Sequence, residues 1–295
     1  MPGSAAAAFA QSGRLPEVAE KIITKRFGLD QPVEIQFQKY IIGIFKWPPD
    51  LGFSYNFYPS PVFEVVAQHL VKTLYLVVFA MLLTVLIGVS AGIVAAWKRE
   101  STLDTTLLGV SLGLWSVPYF WLAMILLWVF GVVLKWFPVI SDIDPSIFAG
   151  NPIQILRTIL THGILPVTAL TVASFASYML IMRASMIEVT GQDYLLTLKA
   201  KGVTQAGILR HMVKNSLLPV VTQVGLQLGT LVSGAILTEI VFSYPGMGLM
   251  IYQAVLNHDY PLLEGAFFVI AITVIIANFA ADIVYALIDP RVSYK

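Results

Sequence analysis

The residues that could carry chemistry in this chain are few and widely separated. Four histidines occur, at positions 69, 162, 211 and 258, and there is no cysteine. A metal centre needs histidine, cysteine or carboxylate ligands at short fixed spacings, so this pattern predicts none. The motifs G-x-x-x-x-G-K-[ST] and H-E-x-x-H are also absent from the sequence. We therefore predict no nucleotide-phosphate loop, no cofactor and no enzymatic activity on this chain.

One segment combines charge with helical apolar spacing: residues 193–215, DYLLTLKAKGVTQAGILRHMVKN. Gly202 can end one helix in the left-handed conformation, and Thr204 can cap the next. After this corner, residues one turn apart form an apolar face and a polar face, in the pairs Ile208–Met212 and Arg210–Lys214. The pattern predicts two helices meeting at a fixed corner, the first with apolar residues on more than one face.

A helix pair with this much apolar surface has two plausible locations. It lies in the lipid interface, where its basic residues suit anionic head groups, or it docks in a groove of another protein. The residue pattern alone favours the interface and leaves docking open.

The composition sets the context for this segment. The 295 residues are 57% hydrophobic and 12% charged, with a mean hydropathy of +0.80, against about 25% charged residues in soluble domains. This indicates a membrane protein. The net charge of +1 offers no support for nucleic-acid binding.

Five apolar runs are long enough to cross a bilayer core as helices, which takes about 20 residues. They lie at 73–97, 105–134, 159–182, 215–238 and 265–281, the last continuing past Asp282 to 288. We predict an all-α, polytopic helical membrane protein with five visible spans. Pro118 predicts a kink in the second.

Lysine and arginine indicate how the spans are oriented. They are concentrated in the connections 98–104 and 183–214, which we place in the cytoplasm. They are scarce or absent in 135–158 and 239–264, which we place outside. A multi-pass protein of the cell membrane with a cytoplasmic C-terminus follows.

This alternation predicts two parts of the chain. Residues 1–66 form an extracytoplasmic N-terminal segment, and residues 67–290 form a transmembrane domain with the cytoplasmic loop 183–214. The first 72 residues would lie outside without a visible apolar run to export them. We therefore expect one further span before Met1.

Several motifs, in order along the chain, carry a family resemblance. They are GLDQP at 28–32, DYLLTLKAKG at 193–202 followed by NSLLPVV, TEIVFSYPGMG at 238–248, HDYPLLEG at 258–265 and DIVYALIDPR at 282–291. Together they resemble the oligopeptide/dipeptide branch of binding-protein-dependent ABC transporter permeases, over nearly the whole chain. That branch usually begins with a span ending near a Pro-Gly pair, which Pro2 and Gly3 resemble.

The resemblance implies a function for the cornered segment. In this family the loop is a coupling helix that inserts into a cytoplasmic ABC ATPase subunit, with Ala200 and Gly202 keeping the corner small and Pro219 beginning the next span. The implied docking residues are Asp193, Tyr194, Leu196, Lys199, Ala200, Lys201 and Gly202. The wider superfamily has Glu-Ala-Ala where this chain has Leu196, Thr197 and Leu198, so contacts of that acid cannot be placed here.

The resemblance also implies the assembly around the chain. It predicts a permease subunit of an ATP-driven importer, with a second and different permease subunit, an extracellular solute-binding protein, and peptides as the usual cargo. The alternative is a secondary transporter driven by an ion gradient, which would need midplane ion ligands or inverted repeats. Neither is evident in the sequence.

Two features inside the predicted spans are open to more than one interpretation. Gln223 and Gln227, one turn apart, either line a polar path or hydrogen-bond a neighbouring helix. Small-residue pairs occur at Gly88–Gly92, Gly109–Gly113 and Gly225–Gly229. They favour close packing of helices within the chain over dimerisation.

Overall fold

A computed structural model of the chain describes residue 25 and residues 30–141, 151–228 and 235–288. Every named element within these residues is helical, and the β contact among them is an isolated antiparallel bridge between Phe53 and Pro61. The all-α prediction is therefore confirmed.

The helices are numbered here in chain order. They are α1 (Val33–Ile44), α2 (Val62–Trp97), α3 (Thr102–Ser116), α4 (Tyr119–Leu126) with a π-helical continuation (Leu127–Val133), α5 (Pro152–Thr190), α6 (Asp193–Ala200), α7 (Gln205–Leu228), α8 (Ile236–Val241), α9 (Met247–Leu256) and α10 (Tyr260–Ile288). The boundary between α6 and α7 falls at the predicted corner.

Three helices are long and apolar enough to span a bilayer: Val62–Trp97, Leu160–Thr190 and Tyr260–Ala281. They confirm the first, third and fifth predicted spans. The second predicted span is broken, because α3 and the segment Tyr119–Val133 meet at an angle of 98°. Pro118 lies at this break, which confirms the predicted kink and follows from the amide hydrogen that proline lacks.

The fourth predicted span, 215–238, lies only partly within the described residues. Helix α7 covers its first part but is not apolar enough over its described residues to qualify as a span, and residues 229–234 lie outside the described part of the chain. The described residues therefore contain three spans, or four if the bent pair counts as one, against the five predicted.

The chain divides into two compact units. The first contains the described residues up to Leu74 together with Pro245–Thr273. Its core is one apolar cluster formed by residues before α2, the start of α2, helix α9 and the start of α10: Leu51, Val62, Val65, Val66, Met247, Met250, Ile251, Ala254, Leu262 and Ala266. A Cβ on Gly265 would overlap the Val62 side chain, so glycine lets α10 approach α2 here.

The second unit contains Tyr75–Tyr244 and the described residues from Val274 onward. Within it α2 packs closely on α5, because a Cβ on Gly88 would lie 2.6 Å from the Phe175 carbonyl oxygen and one on Gly92 would lie 2.6 Å from that of Met179. The predicted close packing is confirmed for this pair.

The other two glycine pairs behave differently. Among the described residues, a Cβ on Gly109 or Gly113 would meet nothing within 4 Å, so the close packing of this pair against another helix stays a prediction. Both glycines lie on the exposed side of α3. A Cβ on Gly225 would lie 3.6 Å from the Ala281 Cβ, at ordinary contact distance, and Gly229 lies outside the described residues.

Candidate functional site

The corner between α6 and α7 is closed by backbone hydrogen bonds. Gly202 has φ +71°, in the left-handed region. Its N–H donates to the Lys199 carbonyl oxygen at 3.0 Å, and the Val203 N–H donates to that of Leu198 at 3.1 Å. These two bonds form a Schellman motif, which satisfies the last carbonyls of α6 and stops the helix at a defined angle. The predicted glycine C-cap is confirmed.

Thr204 begins the second helix, as predicted. Its hydroxyl accepts a hydrogen bond from the Gly207 N–H at 3.3 Å, and its carbonyl accepts the first helical bond, from Ile208, at 2.9 Å. An N-cap of this kind satisfies an amide that would otherwise lack a partner at the helix start.

An apolar cluster holds the inner side of this corner against α5. We call it the corner cluster; its buried members are Tyr178, Met182, Met186, Val189, Leu195, Ile208, Met212 and Val220. Burying one side chain of this size contributes about 1.5–3 kcal/mol. Because the cluster contains residues of α5, α6 and α7, it ties the corner to the long helix before it and the helix after it.

The outer side of α6 faces away from the chain. Asp193, Leu196, Lys199 and Ala200 are all exposed and lie three or four residues apart, which places them on one face. The Leu196 side chain is 65% exposed, whereas that of Leu195 is 4% exposed. The predicted split of apolar residues between two faces is confirmed, and this outer face presents a leucine between a carboxylate and an ammonium group.

The remaining predicted docking residues lie around this face. Lys201 and Gly202 are exposed. A Cβ on Gly202 would meet nothing within 4 Å among the described residues. Glycine is therefore required there by the backbone conformation and not by a lack of space. Tyr194 is half-buried, and its hydroxyl is buried with no hydrogen-bond partner among the described residues.

The predicted residues of α7 lie away from the corner. Pro219 is inside α7, so the helix itself begins earlier, at Gln205; as the start of the membrane-spanning part, Pro219 stays a prediction. Gln227 accepts a hydrogen bond from the Tyr178 hydroxyl of α5, which favours the helix-bonding interpretation for this residue. Gln223, half-buried one turn earlier, stays a candidate for the polar path.

An ion pair near this corner was not singled out from the sequence. The Asp104 carboxylate of α3 accepts bonds from Arg183 Nε and Nη2 of α5, each at 2.7 Å. The side chains of Asp104 and Arg183 are 4% and 21% exposed. The signal that could have located Asp104 is the capping pattern Ser-x-x-Asp at 101–104, because the Ser101 hydroxyl accepts the Asp104 N–H at 3.3 Å.

A second buried carboxylate organises the first unit. Asp259 Oδ2 accepts hydrogen bonds from the Ser54 hydroxyl at 2.6 Å and from the N–H groups of Tyr55 and Asn56 at 2.9 and 3.0 Å. Its Oδ1 accepts the Leu262 N–H at 3.2 Å. This carboxylate therefore fixes the loop before α2 to the start of α10, and it explains the aspartate in the HDYPLLEG motif.

Two further observations limit the chemistry of the described residues. Among them, no group of three or more histidine, aspartate or glutamate side chains could hold a metal ion. Burial raises the pKa of the Tyr55 phenol, with the Asp259 carboxylate as the second cause. That phenol therefore stays protonated and neutral at ordinary pH.

Comparison with known proteins places this geometry in context. Residues 88–294 match the family described as the binding-protein-dependent transport system inner membrane component. The chain is 36% identical to the dipeptide transport system permease protein DppB of Alkalihalophilus pseudofirmus over 286 residues, or 92% of this chain and 85% of the relative. It is 35% identical to DppB of Escherichia coli, over 97% of this chain and 88% of the relative. A putative peptide transport system permease protein of Brucella abortus is 34% identical over all of this chain and 90% of its own length.

Proposed function

The chain belongs to the family of binding-protein-dependent transport system inner membrane components. We propose that its cargo is short peptides and that an ATPase subunit drives transport by binding to α6. As a member of this family it is a multi-pass membrane protein, the permease subunit of an ATP-driven importer and not an enzyme. The peptide cargo is supported by the relatives described above, which are named as dipeptide or peptide permeases and align over more than nine-tenths of the chain.

The observation that supports the coupling role is that α6 is buried on one side and exposed on the other. One side is fixed by Leu195 in the corner cluster, while the other presents the exposed Leu196. A rigidly held helix with an unpartnered apolar face fits a groove on another protein. The occupant is a cytoplasmic ATPase subunit, which a permease without a phosphate-binding loop of its own requires.

The mechanism follows from how the corner is anchored. Closure of two ATPase subunits around ATP displaces α6, and the corner cluster passes this displacement to α5 and α7 because all three helices share it. Packed interfaces of this kind switch between discrete arrangements instead of deforming continuously. The spans thereby tilt, and access to the path alternates between the two sides of the membrane.

The rest of the assembly follows the same proposal. The outer face of α6 and the C-terminus lie in the cytoplasm, and the connections 135–158 and 239–264 lie outside, where an extracellular binding protein delivers the cargo. A second, different permease subunit completes the path. Gln223 lies in α7, which contributes residues to the corner cluster, so Gln223 is placed to move with α6.

The test compares two exposed leucines on the proposed cytoplasmic side. Leu196 on α6 is 65% exposed and Leu103, in the connection 98–104, is 46% exposed. In the assembled transporter we expect Leu196→Asp to reduce co-purification of the ATPase subunits and ATP-dependent peptide uptake at least tenfold, because a carboxylate cannot enter an apolar groove without a large desolvation cost. Leu103→Asp should leave ATPase co-purification unchanged.

Two results would contradict this assignment. One is normal ATPase co-purification with Leu196→Asp. The other is lipid photocrosslinking from position 196 throughout turnover, which would place α6 in the bilayer interface. Collapse of the ion gradients distinguishes an ATP-driven importer from a secondary transporter. Uptake by a secondary transporter would stop, whereas uptake driven by ATP would continue.

A further inference from the structure

Helix α3 has almost no apolar anchor among the described residues. Its buried residues are Asp104 and Ser111, both polar. None of the apolar clusters of the described chain contains a residue of α3. A helix that buries no large apolar side chain depends on its polar contacts for its position, because those contacts are directional.

The Asp104–Arg183 ion pair supplies such a contact at the start of α3. The guanidinium donates from two nitrogens to the two carboxylate oxygens, each at 2.7 Å. Oδ2 also accepts the Glu100 N–H at 3.1 Å. A bidentate pair constrains orientation as well as distance. The carboxylate thus fixes the turn between α2 and α3, and the first turn of α3, to one point on α5.

That point on α5 lies next to the corner. Met182 and Met186, on either side of Arg183 in the sequence, are both members of the corner cluster that holds Leu195 of α6. A displacement of α6 therefore reaches Arg183 through packed side chains within one or two helical turns. At its other end α3 terminates at the 98° break beside Pro118, so α3 can pivot there without bending α4.

We propose that the Asp104–Arg183 pair is the positioning link that transmits the displacement of α6 from α5 to α3, so that the first half of the broken span moves with each cycle. This inference rests on the proposed function. Asp104 and Arg183 touch neither ATP nor cargo in this scheme; they act through α3. Removing the link leaves the ATPase docking face intact and disconnects one moving helix from it.

The experiment measures uptake and ATP hydrolysis in the same assembled transporter in proteoliposomes. Asp104→Asn is expected to keep ATP hydrolysis within about twofold of the unsubstituted complex and to lower the number of peptides imported per ATP about tenfold. Arg183→Lys keeps the charge but loses the two-point geometry. It should lower the number of peptides imported per ATP less than Asp104→Asn does. The control is Arg99→Gln, which removes an exposed ion pair with Glu100 and should leave the ratio unchanged.

The outcomes separate this inference from the proposed function. If Asp104→Asn lowers uptake and ATP hydrolysis in equal proportion, or alters neither, the link is wrong although ATP-driven uptake by the unsubstituted complex stands. If Asp104→Asn does not assemble, the same ratio measured on Arg183→Lys decides, and an unchanged ratio overturns the inference. If the proposed function itself is wrong, the unsubstituted complex shows no ATP-dependent uptake.

Discussion

At the scale of single residues, the left-handed conformation of Gly202 is what sets the direction of α6. Glycine adopts φ +71° without strain, whereas other residue types are strained there, asparagine and aspartate least. The space beside its Cα is open, so the penalty for a side chain comes from the backbone alone.

The loss of uptake on substituting Gly202 should therefore increase with the backbone strain that the new residue introduces. Gly202→Ala should destabilise the corner by about 1 kcal/mol and lower uptake moderately. Gly202→Pro should abolish uptake and ATPase co-purification while membrane insertion persists, because proline cannot reach this φ and lacks the N–H that bonds Lys199. The matched control is Gly109→Ala, which meets open space inside α3. Equal uptake for Gly202→Pro and Gly109→Ala would remove Gly202 from the coupling role.

In the first unit, one residue, Asp259, fixes the local backbone through its hydrogen bonds to the loop before α2. Asp259→Ala would remove the carboxylate that accepts hydrogen bonds from the Ser54 hydroxyl and from the N–H groups of Tyr55 and Asn56. Losing the acceptor of a buried donor costs about 1–3 kcal/mol. We expect a lower Tm and faster proteolysis within residues 51–60. Glu64→Ala, which removes an exposed carboxylate from the first turn of α2, serves as the control. An unchanged Tm for Asp259→Ala would show that the loop is held by other contacts.

At the scale of the elements, the structure is organised by how closely helices approach one another. Helices α2 and α5 come into backbone contact at Gly88 and Gly92, whereas Gly109 and Gly113 of α3 meet no other part of the described chain. The same sequence spacing of two glycines thus has opposite consequences in α2 and α3. The difference depends on which side of each helix faces a neighbour, and the spacing does not encode that.

This contrast makes a direct prediction about packing. Gly92→Val should lower the stability of the transporter by about 1–3 kcal/mol, since its Cβ would lie 2.6 Å from the Met179 carbonyl oxygen and 2.8 Å from the Met182 Cβ. Gly113→Val should not destabilise it through this mechanism. Thermal unfolding of the detergent-solubilised complex measures both variants. If Gly113→Val proves as damaging as Gly92→Val, the open side of α3 is covered in the complex, and the contrast between the two glycine pairs does not hold there.

At the scale of the whole molecule, the absence of cysteine makes orientation simple to measure. Trp136, 66% exposed in the connection that we place outside, should react as Trp136→Cys with a membrane-impermeant thiol reagent in intact cells. Lys199→Cys should react only after the membrane is permeabilised, because α6 lies in the cytoplasm in this scheme. The unsubstituted chain provides a blank. Labelling of Lys199→Cys in intact cells would reverse the orientation and exclude docking to a cytoplasmic ATPase.

The family assignment also belongs to this scale. The ordered motifs from GLDQP to DIVYALIDPR indicated a binding-protein-dependent permease, and the match over residues 88–294 together with the aligned relatives confirms it. Three of these motifs include described helix ends: DYLLTLKAKG at the end of α6, TEIVFSYPGMG between α8 and α9, and HDYPLLEG at the start of α10. They do not identify the contacts between helices, so neither Asp104 nor Arg183 stood out beforehand.

The sequence by itself determined the class of the protein and its local geometry. Long apolar runs must become helices in a bilayer, Pro118 must interrupt one of them, and Gly202 with Thr204 must form a corner, because each of these consequences depends on neighbouring residues and on backbone chemistry alone. The tertiary structure decided which faces meet. The Asp104–Arg183 and Ser54–Asp259 contacts join residues 79 and 205 positions apart in the chain, and only the packing of whole helices brings such distant side chains within bonding distance.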